Sequence, residues 1–324
     1  MTEIAGKKRI IVDTDPNMWV PRRDIDDALA LLFLMASPEV EIEGITVNFG
    51  NVSAPVGYAA ARELVDRVGL SVPLFKGARS KQDLGKKSEA VEFLIQTIKD
   101  APGEITLLAL APLTNVASAM LLDHTFAQNL GGLIVMGGAF RFPFFSFFGE
   151  FNFHCDGRAA STVLSASVSK TMITMDLCSQ AVFTQEHLHL LKESDDEIAR
   201  YILRFVEPWL SLNRKIFFRK KGFFPWDVVA AAYVIDPSLF DSNHRTFLLR
   251  ETGPRRGSLI PQSSSAGRQS TRAPCKAEVP ESLGVELFMD LFLSRLLRHT
   301  ERTDPLRSPH RGQVPNEQMR RSLL

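Results

Sequence analysis

Apolar and polar positions fall into alternating blocks from Arg9 to about Ile235. The run Ile10-Ile11-Val12 is β-branched and uninterrupted, the pattern of a strand buried on both faces of a parallel sheet. Asp24-Ile25-Asp26-Asp27 leads into the Ala/Leu-rich run Ala28 to Ala36, which predicts a helix. Glu41 to Phe49 is rich in β-formers and stops at Gly50-Asn51, a turn signal. Val56 to Val68 has helical spacing, Val72 to Phe75 predicts a short strand, and Ala90 to Lys99 predicts another helix. Glu104 to Leu110 predicts a buried strand, after which Pro112-Leu113-Thr114 opens a helix with Pro in its tolerated first turn. Leu133 to Met136 predicts a strand ending at Gly137-Gly138, and Thr171 to Asp176 predicts the next. Helical spacing returns from Asp195 to about Lys215, and again over Val228 to Ile235 after Phe223-Phe224-Pro225-Trp226-Asp227. Strands alternating with helices predict an α/β fold: a mainly parallel central sheet covered by helices on both faces.

The late chain breaks this rhythm. Pro254 to Glu281 is rich in Ser, Gly, Pro and Arg and is expected to be a mobile excursion. Val285 to Leu297 reads as an amphipathic closing helix, and the polar stretch from His299 as a disordered tail. Residues 1–298 are therefore expected to form a single α/β domain and 299–324 a tail. Hydrophobic content of 45% with 23% charged residues is that of an ordinary globular chain. The net charge of +1 gives no reason to expect a nucleic-acid partner. The longest clean apolar run, Ala28 to Ala36, is too short to span a bilayer, so no membrane partner is expected. The polar start Met1 to Lys8 shows no secretory signal, and three cysteines without metal-ligand spacing suit a reducing compartment. The expected location is the cytoplasm.

Candidate chemistry concentrates at the first strand–helix junction. Asp13, Asp15, Asp24, Asp26 and Asp27 crowd the edge where open α/β sheets bind ligands. Like charges this close do not all stay ionised without a cation among them. Asp15 and Asp27 offer hard oxygen ligands that suit Ca²⁺ or Mg²⁺. Helix N-capping is the plainer alternative, and it accounts for Asp24 or Asp26 but not for five carboxylates together. Gly149-Glu150-Phe151-Asn152 offers side chains suited to the vicinal hydroxyls of a sugar, or is simply a surface loop. Trp226-Asp227 is either core or a ligand platform beside a further metal-binding carboxylate. Eight Phe residues between Phe140 and Phe153 suggest an apolar lid, a subunit interface or plain core, and His154 reads as a packed residue.

Taken together these stretches resemble the nucleoside hydrolase family, the inosine-uridine and purine N-ribohydrolases. The resemblance runs from about Arg9 to Pro237. It rests on Asp13-Thr14-Asp15-Pro16 with Asp26-Asp27, Gly50-Asn51, Pro112-Leu113-Thr114-Asn115, Met136-Gly137-Gly138, Glu150-Phe151-Asn152 with Asp156, and Trp226-Asp227. It implies a Rossmann-like fold, a Ca²⁺ cofactor and hydrolysis of the N-glycosidic bond of a ribonucleoside. By the same resemblance Asp15, Asp27, Asp227 and the Leu110 carbonyl would hold the metal, with Asp15 also the base for the attacking water. Asp26, Asn51, Glu150 and Asn152 would grip the ribose, and Asp13 would support the metal shell from behind. Many members carry His where this chain has Trp226, and Trp-Asp there is similar to the purine-preferring branch, in which stacking activates the leaving base. A homo-oligomer is compatible with the resemblance.

Three departures from the family pattern shape the expectations, one being the loss of the family's regular strand pattern after Gly253 in a Ser/Arg-rich stretch. The tight Asp-Pro-Gly-x-Asp-Asp loop is interrupted by Asn17 to Ile25, which must bulge outward if Asp15 and Asp27 are to meet one ion. Arg22 and Arg23 in that insert offer a rival partner for the carboxylates. The loop after the third strand is reduced to Gly77 to Lys87, which shortens the expected lid. The alternatives are a catalytically weakened homologue acting as a ligand-binding or scaffold protein, and a phosphatase that also places an Asp after its first strand.

Overall fold

The computed structural model describes residues 6–141, 149–216, 221–264 and 274–297. The chain begins with β1 (Lys8–Thr14), α1 (Asp26–Met35), β2 (Val40–Val47), α2 (Ala54–Val68) and β3 (Leu74–Lys76). Next come α3 (Glu89–Asp100), β4 (Ile105–Ala109), α4 (Thr114–Leu122), α5 (Phe126–Asn129) and β5 (Gly132–Met136). The middle holds α6 (Phe151–Cys155), α7 (Gly157–Ser165), β6 (Lys170–Ile173), α8 (Met175–Cys178), β7 (Phe183–Thr184) and α9 (Gln185–Glu193). The rest is α10 (Glu197–Ile216), β8 (Gly222–Phe223), α11 (Trp226–Ile235), β9 (His244–Leu249), β10 (Leu259–Pro261), β11 (Cys275–Glu278) and α12 (Val285–Leu297).

Among the described residues the main sheet has nine strands in the order β10-β9-β11-β6-β5-β4-β1-β2-β3. β1 lies between β2 and β4, parallel to both, which explains its continuous apolar run. Successive side chains of a strand point to opposite faces. Ile10 and Val12 accordingly join the core under α1, α2, α10, α11 and α12, while Ile11 joins the core under α3, α4 and α7. Every residue of α1 is buried, so this helix is apolar all round except at Asp26 and Asp27 in its first turn. The parallel part of the sheet, β3-β2-β1-β4-β5-β6, is the expected α/β architecture.

The expectation for 254–281 needs correction. β10 and β11 both lie inside that stretch and pair antiparallel with β9, Leu259 opposite Leu249 and Cys275 opposite Phe247. β11 also touches β6 in parallel, which fastens the late strands to the main sheet. Residues 265–273 lie outside the described residues, as does the expected tail 299–324. These strands leave little trace in the sequence because they are short and their apolar positions are few: in Cys275-Lys276-Ala277 only the first and third residues are buried. Two smaller differences are at strand ends, where β2 stops at Val47 and β6 stops at Ile173 ahead of α8.

Phe247 joins the late strands to the core: it is fully buried and meets Phe140 edge-on at 5.7 Å. Phe247→Ala should lower unfolding stability by about 3–5 kcal/mol, the range for a large buried aromatic ring. Urea denaturation followed by circular dichroism measures it, and a loss below about 1 kcal/mol would show that the late strands are not integral to the sheet.

Candidate active site

Three element ends meet at the carboxyl edge of the sheet. β1 ends in Asp13-Thr14 and passes directly to Asp15; α1 begins with Asp26-Asp27; α11 begins with Trp226-Asp227. Carboxylates at helix starts face the positive ends of two helices, which offsets part of their mutual repulsion. Asp15, Asp26, Asp27 and Asp227 are all buried. Oxygens of Asp26, Asp27 and Asp227 lie within 4.8 Å of one another.

Main-chain and hydroxyl donors fix this cluster. The Thr14 hydroxyl donates to Asp27 Oδ1 at 2.5 Å, and the Asp15 N–H reaches the same oxygen at 3.1 Å. The Asp227 N–H donates to Asp26 Oδ2 at 3.1 Å, so α11 is tied to α1 at its first residues. The Asn51 N–H donates to Asp15 Oδ2 at 2.5 Å. Gly50 lets that turn come close, since a Cβ there would lie 2.0 Å from Asp15 Oδ2.

The electrostatics ask for a cation. Burial, and then the charge of Asp27, push the Asp15 carboxyl well above its ordinary range. Burial followed by the charges of Asp24 and Asp27 does the same to Asp26, and burial followed by Asp26, Asp27 and Asp15 to Asp227. Asp27 is raised by burial despite its donors. Asp227 Oδ1 is buried without a hydrogen-bond partner. Three converging carboxylates, one with an orphaned oxygen, form an all-oxygen site that fits a hard divalent cation. Arg22 and Arg23 do not take its place: both are exposed, and among the described residues no ion pair joins them to the cluster.

Around this cluster the other expected residues are present but already engaged. Glu150 caps α6, its carboxylate accepting from the N–H groups of Asn152 at 2.6 Å, Phe153 at 2.9 Å and Gly138 at 3.0 Å. Asn152 Nδ2 donates to the Leu110 carbonyl at 2.6 Å and to the Met136 carbonyl at 3.3 Å. The Leu110 oxygen expected to face a metal is thus held by Asn152. The Asn51 side chain bonds the backbone of Asp24 in both directions. Trp226 is half-buried and packs its ring against Phe224, with centroids 4.7 Å apart. Asp156 is structural, capping α7 through Ala159 N–H and accepting from Thr114 Oγ1 at 2.8 Å.

A second layer lies beneath the cluster. Asp13 is wholly buried and accepts from Thr46 Oγ1 at 2.6 Å and Asn115 Nδ2 at 2.7 Å. Asn115 Oδ1 accepts from the Ala78 N–H at 2.8 Å, and Ser118 Oγ accepts from the Gly85 N–H at 2.9 Å. The short 77–87 loop is therefore docked onto α4. Gly77 permits this approach, because a Cβ would sit 2.2 Å from Asn115 Nδ2. Thr46 and Ser118 were not marked by the sequence, and Asn115 appeared only as part of a motif without a task. Their signal was polar character at positions that helix and strand periodicity assigns to the core.

Of the eight Phe residues read as a lid, a subunit interface or core, three lie among the described residues. Phe153 is core, Phe140 packs on Phe247, and Phe151 is 45% exposed; the other five, within 142–148, lie outside the described residues. His154 sits with Nδ1 3.3 Å from the Arg256 carbonyl, as a packed residue would.

A parallel α/β sheet with buried carboxylates at its carboxyl edge puts a candidate cation site where open α/β sheets bind their ligands. The family model for inosine-uridine preferring nucleoside hydrolases matches residues 10–290, and the chain belongs to that family. It is 30% identical to uridine nucleosidase 1 of Arabidopsis thaliana over 74% of this chain and 77% of that one. It is 27% identical to the inosine-uridine preferring nucleoside hydrolase of Crithidia fasciculata over 90% of this chain and 98% of the relative. A plant nucleoside hydrolase structure superposes with a TM-score of 0.81 at 25% identity, covering 90% of this chain and all of that one. The chain is thus a hydrolase of N-glycosyl bonds, and the phosphatase alternative is set aside.

Asp13 gives a test of the buried charge. Burial raises its carboxyl from 3.8 to about 7, in spite of its donors. A raised carboxyl means that the folded state holds a proton which the unfolded chain releases, so stability falls as pH rises through that interval. The metal-free protein should lose melting temperature between pH about 4 and about 7. A divalent cation held by the folded cluster alone should recover much of the loss at pH 7. Thermal scans of the chelated protein that stay flat or rise across this interval would contradict the assignment.

Proposed function

We propose that the chain hydrolyses purine ribonucleosides to ribose and free base with Ca²⁺ as cofactor. The observation that carries this reading is the buried Asp26-Asp27-Asp227 triad, set beside Asp15 at the carboxyl edge of a nucleoside hydrolase sheet. Asp15, Asp27 and Asp227 would hold the cation, with the Leu110 carbonyl as a further oxygen. When bound, the cation would draw these oxygens together, orient a water and make it more acidic. Asp15 takes the proton from the attacking water, needing only hydrogen-bond reach. Asp26 holds ribose hydroxyls, joined by the hydrogen-bonding capacity that Asn152, Glu150 and Asn51 still have beyond their backbone contacts. Positive charge develops on the ribose as the glycosidic bond breaks. Surrounding carboxylates and amide oxygens stabilise that charge in place.

The base preference rests on Trp226. Its ring, braced by Phe224, offers a face on which a purine can stack, and a π-face favours a base that is gaining a proton. Relatives named as uridine nucleosidases make uridine the competing substrate. Three free thiols suit the cytoplasm as the place of action.

Release of reducing sugar from inosine, adenosine, guanosine and uridine, with and without chelator, tests the reading. Turnover should be greatest with purine nucleosides, vanish with chelator and return with Ca²⁺. Trp226→Ala should cut turnover of inosine about tenfold or more, the usual weight of a lost base-stacking contact, while leaving cation affinity nearly unchanged. No release from any nucleoside would end the hydrolase assignment. Preference for uridine, or an unimpaired Trp226→Ala, would end the purine assignment alone.

A further inference from the structure

The insert 17–25 does not simply bulge outward. Asn17, Met18 and Ile25 are buried, and within the insert only Pro21, Arg22 and Arg23 are exposed. Asn17 gathers the loop around one amide. Its Oδ1 accepts from the N–H groups of Val20 at 2.9 Å and Trp19 at 3.2 Å, and its Nδ2 donates to the carbonyls of Val20 and Asp24, both at 3.2 Å. Met18 packs inward, its sulfur 3.2 Å from the Tyr201 hydroxyl, which also reaches Glu63 Oε1 at 2.7 Å.

One residue outside the insert closes the arrangement. The Asp24 N–H donates to Asn51 Oδ1 at 3.0 Å, and Asn51 Nδ2 donates to the Asp24 carbonyl at 2.8 Å. The backbone N–H of the same Asn51 holds Asp15 Oδ2. Asn51 therefore grips both sides of the interruption, Asp15 before the insert and Asp24 immediately before the Ile25-Asp26-Asp27 turn. A flexible loop costs little more to close as it lengthens, but length alone does not hold its ends in register. We propose that Asn51 is a positioning residue whose side chain latches the insert to the carboxylate site and so makes 17–25 a fixed part of its rim. Its side-chain oxygen and nitrogen each already bond Asp24, so its larger task here is the latch, and only the remaining capacity of the amide is left for the sugar.

Asn51→Ala removes the latch outright. Asn51→Asp keeps an oxygen able to accept from a ribose hydroxyl but sets a second oxygen against the Asp24 carbonyl, so it separates the two tasks. Arg22 and Arg23 provide the readout, because trypsin cuts after exposed arginines in segments that open locally. Both variants should be cleaved there at least about tenfold faster than the parent chain, as expected when a pair of hydrogen bonds closing a loop is lost. Their kcat on inosine should fall more than their KM rises. Unchanged cleavage with a raised KM would overturn the proposal and leave Asn51 as a sugar ligand only. Hydrogen exchange on the parent chain needs no variant: the amides of Trp19, Val20 and Asp24 should be protected. Exchange as fast as that of an unstructured peptide would overturn the latch even if the variants fail to fold. The cleavage and exchange arms need no nucleoside. A chain that hydrolyses none of them but shows this protection supports the latch and overturns only the proposed function.

Discussion

Mutual repulsion among buried carboxylates is the constraint on which the rest of this molecule depends. Asp15, Asp26, Asp27 and Asp227 are nearly out of water, and each is pushed toward its protonated form by burial before any neighbour is counted. A fold that simply needed caps for α1 and α11 would not assemble four carboxylates at one point, since one side chain satisfies a helix start. The helix ends, the Thr14 hydroxyl and the backbone N–H groups of Asp15, Asn51 and Asp227 lower the cost without removing it. An orphaned oxygen on Asp227 remains. The arrangement is one in which stability is yielded locally for chemistry that a divalent cation completes.

Such a cluster has to be held still, and the sheet does this from below. β1 is flanked on both sides by parallel strands, so Asp13 and Asp15 project from its best-supported end. Asp13 is then fixed by Thr46 of β2 and Asn115 of α4, and Asn115 also holds the 77–87 loop. Floor and rim share side chains. A shift of the short loop would therefore be felt at Asp13 through a single amide, two residues from Asp15.

How much of this was legible in the sequence follows from the range of each interaction. β1, β4, β5 and the helices between them were readable because parallel strands buried on both faces carry unbroken apolar runs. The carboxylate cluster was readable because three of its four members, Asp15, Asp26 and Asp27, sit within thirteen residues of one another in the chain. β9, β10 and β11 were not, because their stability comes from pairing with each other and with β6 rather than from their own composition. The engagement of Glu150 with Gly138, Asn152 and Phe153 was equally hidden. A Glu beside an Asn looks the same in sequence whether it faces a sugar or caps a helix, and here it caps α6.

The insert looks like a threat to the site in sequence for the same physical reason. Counting residues shows only that nine positions separate Pro16 from Asp26, and a loop of that size is free to drift. What removes the freedom is local polar chemistry. Asn17 turns the loop onto itself, and Asn51, from the turn after β2, holds its far end by the side chain and Asp15 by the backbone N–H. The turn Gly50-Asn51 was visible as a turn; its partner was not, because Asp24 contributes backbone atoms and leaves no signature in its side chain. Two amides with both ends in use thus do, across a longer loop, what a short glycine turn would do by lack of room. The tip is left to Pro21, Arg22 and Arg23, where charge stays in water and away from the carboxylates.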